Sequence, residues 1–157
     1  MRGLAGRKAI VTGGGGAIGQ AISLRLGDEG CHVGIFDIDG DAAADTARLI
    51  VATGGEANSF TVDVTDYSAT AAAVKDFGNS VGSCEILVNN AGLGIIKPIS
   101  EMTIEEWQIQ INVNLGGVFY CSKAALPHLI TTGDGFIINI ANNKTKFIKS
   151  FKSISKR

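Results

Sequence analysis

The chain has 157 residues, 45% of them apolar, and a formal net charge of −1, which fits one globular domain with its own core. No stretch approaches the roughly 18 consecutive apolar residues of a membrane span, and the opening MRGLAGRKAIVT lacks the apolar segment and cleavage site of a signal peptide. No membrane contact is therefore expected, and the cytoplasm is the expected compartment. The small net charge hides a division: residues 1–141 hold 8 Lys plus Arg against all 15 Asp plus Glu, a balance of −7, while residues 142–157 carry the other six basic groups and no acid.

Val11 to Gly19, VTGGGGAIG, is the stretch around which the rest is organised. It closes an apolar run, Lys8–Thr12, read as a strand. It opens a helix over Ala17–Glu29, whose Ile18, Ile22, Leu24 and Leu26 have approximately helical spacing. Glycines at 13 to 16 let the backbone turn sharply and leave main-chain N–H groups open to a phosphate. The first turn of the helix adds unpaired N–H donors and the positive end of its dipole. A pyrophosphate is the natural occupant; a plain flexible glycine loop is the alternative, and context decides between them.

Gly30 stops the first helix, and His32–Phe36 reads as a second buried strand ending at Asp37. An alanine-rich helix runs from Asp41 to about Thr53, closed by Gly54 and Gly55. Ala57–Val62 is a third strand ending at Asp63, and a third helix follows over Asp66–Asn79, capped by Asp66 or Thr65. Glu85–Asn89 is strand four, Asn90–Ser100 a loop, Ile104 to about Ile130 a long helix interrupted near Gly116 and Gly117, and Phe136–Ile140 strand five. Strands alternating with helices of this length predict parallel pairing through right-handed crossovers, an α/β doubly wound sheet covered on both faces. Cys31, Cys84 and Cys121 are scattered, without CxxC spacing or a clustered His, so they read as buried apolar residues and no metal site is expected. His32 and His128 read as structural.

Ligands of doubly wound sheets lie beyond the carboxyl ends of the strands, where the strand order reverses. Those ends are Gly13, Asp37, Asp63 and Asn89. Asp37 lies about twenty residues beyond the glycine turn, where a carboxylate accepts both ribose hydroxyls of an adenosine and repels a 2′-phosphate. NAD is therefore expected in preference to NADP. An ordinary acidic loop residue is the alternative for Asp37, since Asp39 and Asp41 are near.

The spacing Gly13, Gly16, Ala17, Ile18, Gly19 resembles the TGxxxGxG turn of the short-chain dehydrogenase/reductase family, with Ala17 where that family usually has its middle glycine. Asp63 and Val64 resemble its adenine-holding pair, and Asn89, Asn90, Ala91 and Gly92 its NNAG signature. Asn112-Val113-Asn114 resembles its (N)VN element, with Asn114 at the place of the asparagine that kinks the helix and holds a water in the proton relay. The four motifs cover roughly residues 5–141. The resemblance implies a Rossmann-like fold, NAD(H) as partner, and oxidoreduction of a small secondary alcohol or ketone. It also implies a homo-oligomer, no nucleic acid, and Asn114 as the surviving catalytic residue.

The resemblance stops at the acid–base chemistry. The family's tyrosine, acidified by a lysine four residues on, exchanges a proton with the substrate oxygen. Here the tyrosines are Tyr67 and Tyr120, no YxxxK occurs, and Asn142 follows INIA where the family has serine. The expectation is a C-terminally truncated family member. Residues 1–141 are its NAD(P)-binding domain, and 142–157 are an unrelated, irregular basic tail left by a frameshift or aberrant splice. Strand five would then be a sheet edge. Activity of this chain is not expected. A non-catalytic NAD-binding module and a basic-tailed interaction protein on a Rossmann-like scaffold are the alternatives.

Overall fold

A computed structural model describes residues 3–141, so the residues expected to form the basic tail, Asn142 among them, lie outside the described range. Five parallel strands form one sheet in the order β3-β2-β1-β4-β5. They are β1 (Lys8–Thr12), β2 (His32–Asp37), β3 (Glu56–Thr61), β4 (Ile86–Asn89) and β5 (Phe136–Asn139). The helices are α1 (Ala17–Asp28), α2 (Gly40–Ala52), α3 (Tyr67–Val81), α4 (Ile104–Ile111) and α5 (Val118–Thr132). The chain steps outward from β1 to β2 and β3, then crosses to the other side for β4 and β5. The reversal lies between β1 and β4, which pair with Ile10 opposite Leu87 and Val11 opposite Val88.

Both faces of the three central strands β2, β1 and β4 are buried, as a parallel sheet requires, whereas β3 and β5 are largely exposed. Ile10, Phe36 and Leu87 point to one face and pack with Phe77 of α3 and Cys121, Ala125 and Leu129 of α5. Their alternates Ala9, Val11, Val33, Ile35, Ile86 and Val88 point to the other, against Ala43, Ala47 and Ile50 of α2. Gly34 in β2 leaves the space that the Phe77 ring fills, since a Cβ there would lie 2.9 Å from the ring. Cys31, Cys84 and Cys121 are free and buried. Among the described residues β3 and β5 are the two edge strands, and on β5 Phe136, Ile137 and Ile138 are each about half exposed. Among the described residues no helix is long and apolar enough to cross a membrane.

Helix starts follow local capping chemistry. Asp39 caps α2 by accepting the Ala42 N–H, so that helix begins at Gly40, one residue before the expected Asp41. Asp66, the expected cap of α3, accepts from the N–H groups of Ser68 and Ala69. Thr103 and Glu106 form a reciprocal capping box on α4. The interruption expected near Gly116 and Gly117 is a π-helical segment, Asn112–Gly117, inserted into one continuous helical path. Gly117 is there for packing: a Cβ would sit 2.8 Å from Val64 Cγ2.

Candidate cofactor site

β1 ends in a turn whose geometry only glycine satisfies at two points. Gly13 takes φ +63°, in the left-handed region, and a Cβ at Gly19 would lie 2.0 Å from the Gly13 carbonyl oxygen. The first turn of α1 can therefore fold directly against the end of β1. The first bond of the α1 ladder runs from Gln20 N–H to Gly16 C=O at 2.7 Å. The N–H groups of Ala17, Ile18 and Gly19 precede that ladder and have no helical partner. Gly16 is roomy, since a Cβ there meets nothing closer than the Gly13 oxygen at 3.5 Å.

Two side chains lock this turn to its neighbours. Asp37, at the end of β2, accepts the Gly15 N–H through Oδ2 at 2.9 Å and the Asp39 N–H through Oδ1 at 3.0 Å. Asn90 donates through Nδ2 to the carbonyls of Thr12 and Gly13 at 3.0 and 3.1 Å. Thr12, absent from the expected site, is the hub on the other side. Its buried hydroxyl accepts the N–H groups of Asn90 and Ala91, both at 3.0 Å, and approaches the Val88 carbonyl at 3.4 Å. The ends of β1 and β4 are thereby tied together across the switch point.

Above these strand ends lies a cleft of about 750 Å³, within the usual range of small-molecule sites. Of the expected residues, Gly13, Gly16, Ala17, Ile18, Gly19, Asp37, Asp63, Val64, Asn90, Ala91 and Gly92 line it. Asp63 holds its own turn by accepting the Thr65 N–H and hydroxyl on Oδ1, at 2.8 and 2.7 Å. Apolar walls come from Leu93, in the apolar loop after NNAG, from Val113 of the matched NVN element, and from Ile38 and Ile109, which the sequence did not single out. The signal for Ile38 and Ile109 in the sequence is only their proximity to Asp37 and to the NVN element.

Two expected residues stand outside the cleft lining. Asn89 is 3% exposed and donates to Asn139 Oδ1 at 2.9 Å and Ser122 Oγ at 3.2 Å, joining β4 to β5 and α5. This corrects its expected place at the cofactor: it points to the helix-covered face of the sheet. Asn114, in the π-helical segment, accepts the Leu93 N–H and donates to the Leu93 carbonyl, both at 2.8 Å. Its amide clamps the loop after NNAG. Tyr120 is also away from the cleft lining, its ring 5.6 Å from that of Tyr67, with Lys123 Nζ 5.1 Å above the Tyr67 ring. Burial pushes the Cys84 and Cys121 thiols up to about 12, so neither is a nucleophile at neutral pH.

A parallel sheet with a glycine turn, a strand-end acid and an asparagine-locked loop meeting where the strand order reverses defines a Rossmann-like α/β protein with a ligand cleft. Residues 7–152 match the short chain dehydrogenase family, and the chain belongs to it. It is 39% identical over 139 residues to the 2-dehydro-3-deoxy-L-rhamnonate dehydrogenase (NAD(+)) of Sphingomonas sp. strain SKA58, covering 88% of this chain and 54% of that protein. It is 35% identical over 135 residues to the cyclohexanol dehydrogenase of Acinetobacter sp. strain SE19, covering 85% and 54%. The crystal structure of an NAD+-bound xylitol dehydrogenase superposes with a TM-score of 0.86 at 31% identity, covering 90% of this chain and 55% of that one. The chain thus spans about half the length of the curated relatives it matches.

Proposed function

We propose that the cleft binds a nicotinamide adenine dinucleotide, NAD in preference to NADP, as the cofactor half of an oxidoreductase acting on a secondary alcohol or ketone. The observation that carries this reading is the Asp37 carboxylate at the cleft wall. A carboxylate has about four acceptor sites, and backbone N–H groups take one on each oxygen. Two sites remain for the 2′- and 3′-hydroxyls of a ribose, and the negative charge disfavours a 2′-phosphate. The free N–H groups of Ala17, Ile18 and Gly19 suit the pyrophosphate, and Asp63 with Val64 suits the adenine. When bound, the nicotinamide supplies or accepts hydride.

The chain's own residues bind and orient the dinucleotide. Asn114 contributes by holding the loop at Leu93. We further propose that these 157 residues turn over no alcohol by themselves: they contain no YxxxK, and Tyr120 is engaged with Tyr67. Residues 1–141 form the dinucleotide-binding unit in this reading. The unpaired, buried thiols suit a reducing, cytoplasmic setting.

Fluorescence titration with NADH, paired with an assay for alcohol-dependent NADH formation, tests the proposal. The expected result is saturable NADH binding without turnover across simple secondary alcohols, sugars and steroids. Failure to bind NADH refutes the cofactor reading, and turnover abolished by Tyr120→Phe refutes the non-catalytic one.

A further inference from the structure

The loop between β4 and α4 is fastened to the helix that follows it by three evenly spaced polar rungs. Leu93 exchanges two hydrogen bonds with Asn114; Ile95 N–H donates to Gln110 Oε1 at 2.9 Å; Lys97 Nζ donates to Glu106 Oε1 at 2.5 Å. The loop partners are two apart and the helix partners four apart. Two residues of extended chain advance about 6.6 Å, and four helical residues rise about 6 Å. An extended segment can therefore run antiparallel to α4 with one rung at each step and little accumulated mismatch.

Two of the three helical partners are themselves held in place. Gln110 Nε2 donates to the Glu106 carbonyl at 3.2 Å and lies 3.6 Å from Met102 Sδ. Glu106 Oε2 accepts the Thr103 N–H at 2.9 Å as part of the capping box, leaving Oε1 for Lys97. The rungs start from side chains with little freedom to lose, which makes the latch stiff. Its upper end, Gly92 and Leu93, lines the cleft.

We propose that Gln110 is a positioning residue for the cofactor, acting through the Ile95 backbone, with the Lys97–Glu106 pair in support, to set the lip formed by Gly92 and Leu93. The inference rests on the dinucleotide reading of the cleft. Gln110 itself is not part of the cleft lining. Its influence on binding passes through the loop.

The test compares Gln110→Met, which keeps side-chain length and removes the acceptor, with Gln110→Glu, which keeps the acceptor. NADH affinity is read by fluorescence titration, and amide hydrogen exchange is read in the cofactor-free protein. Gln110→Met should weaken NADH binding about three- to tenfold, as expected for one lost hydrogen bond. It should also speed exchange at Ile95 while leaving Ile35 and Val88 in the sheet unchanged, and Gln110→Glu, which keeps the acceptor for Ile95 but loses the donor to the Glu106 carbonyl, should recover part of both. Wild-type NADH affinity in Gln110→Met, or unchanged Ile95 exchange, overturns the proposal. So does acceleration spread evenly over the sheet. A protein that binds no NADH but whose Ile95 exchange responds to Gln110→Met sinks the cofactor reading alone and leaves the latch standing.

Discussion

Replacing Asp37 by alanine removes three things at once: the acceptors for Gly15 and Asp39, the free acceptor sites facing the cleft, and one negative charge. The turn term is modest, since both bonds lie in partly solvated loops where water can replace them, and about 1–2 kcal/mol of stability is expected to go. The charge term sets cofactor choice. Two unit charges about 4 Å apart interact by roughly 4 kcal/mol at an effective dielectric of 20 and by roughly 1 kcal/mol in bulk water. For a part-exposed carboxylate, about 2 kcal/mol against a 2′-phosphate is a fair middle value, or roughly 30-fold in affinity. The wild-type protein should thus bind NADH about 30-fold more tightly than NADPH at moderate salt. Asp37→Ala should bring that ratio close to one while weakening NADH about tenfold through loss of the ribose bonds. Asp37→Asn should fall between, because its amide keeps one acceptor oxygen but turns an NH₂ toward the second backbone N–H. Parallel fluorescence titrations with both cofactors at fixed ionic strength measure the ratio. Equal affinities in the wild type, or a ratio unchanged in Asp37→Ala, would refute the reasoning.

Gly19→Ala should abolish measurable NADH binding and cost about 1–3 kcal/mol or more in urea denaturation, since its Cβ meets the Gly13 carbonyl at 2.0 Å. Gly16→Ala, with 3.5 Å of clearance, should leave stability nearly unchanged, and equal losses for the two would contradict the turn geometry. Cys84 and Cys121, with thiols raised to about 12 by burial, should resist an aromatic disulfide reagent at pH 8 until the protein unfolds. Immediate labelling of either in the native state would show that its site opens readily. Glu106 has a lowered pKa, chiefly through the hydrogen bond from Lys97 and then the Thr103 backbone. Its folded form therefore holds a proton less tightly than the unfolded chain, and its contribution to stability is present above the ordinary value of 4.5 and lost as pH falls through the lower folded value. The difference in urea midpoint between wild type and Glu106→Gln should accordingly be present at pH 6 and shrink below 4.5; a pH-independent difference would argue against it.

Much of the fold follows from patterns that are local in the chain. The apolar runs ending at Thr12, Asp37 and Asn89 and the glycines after them place the strands and their carboxyl ends, and with those ends come the glycine turn, Asp37 and Asp63. The long helix was harder, because glycine is read locally as a helix breaker, whereas Gly117 serves contact with Val64, far away in sequence. Thr12 gives no signal of its role in the sequence, because a hydroxyl closing an apolar run looks like any strand residue. Its partners, Asn90 and Ala91, lie 78 and 79 positions away. The rungs between 93, 95, 97 and 114, 110, 106 combine a period of two with a period of four, and neither half is conspicuous without the other.

Asn89 and Asn90 show where a matched motif needs the physics of the strand beneath it. Side chains alternate along a strand, so Asn89 must share a face with Leu87, and Leu87 belongs to the core under α3 and α5. Asn89 is therefore directed at Ser122 of α5 and at Asn139, its registered partner on β5. Asn90, past the strand end, is released from that alternation and reaches back to Thr12 and Gly13. The two adjacent asparagines thus divide the work, one fixing the sheet and the other fixing the turn at the cleft. Asn114 extends the same logic, since both polar atoms of its amide engage Leu93. Across the two matched elements, the Asn90 and Asn114 amides hold backbone in place and the Asn89 amide ties neighbouring elements together, so the cleft owes its shape to them even where they do not line it.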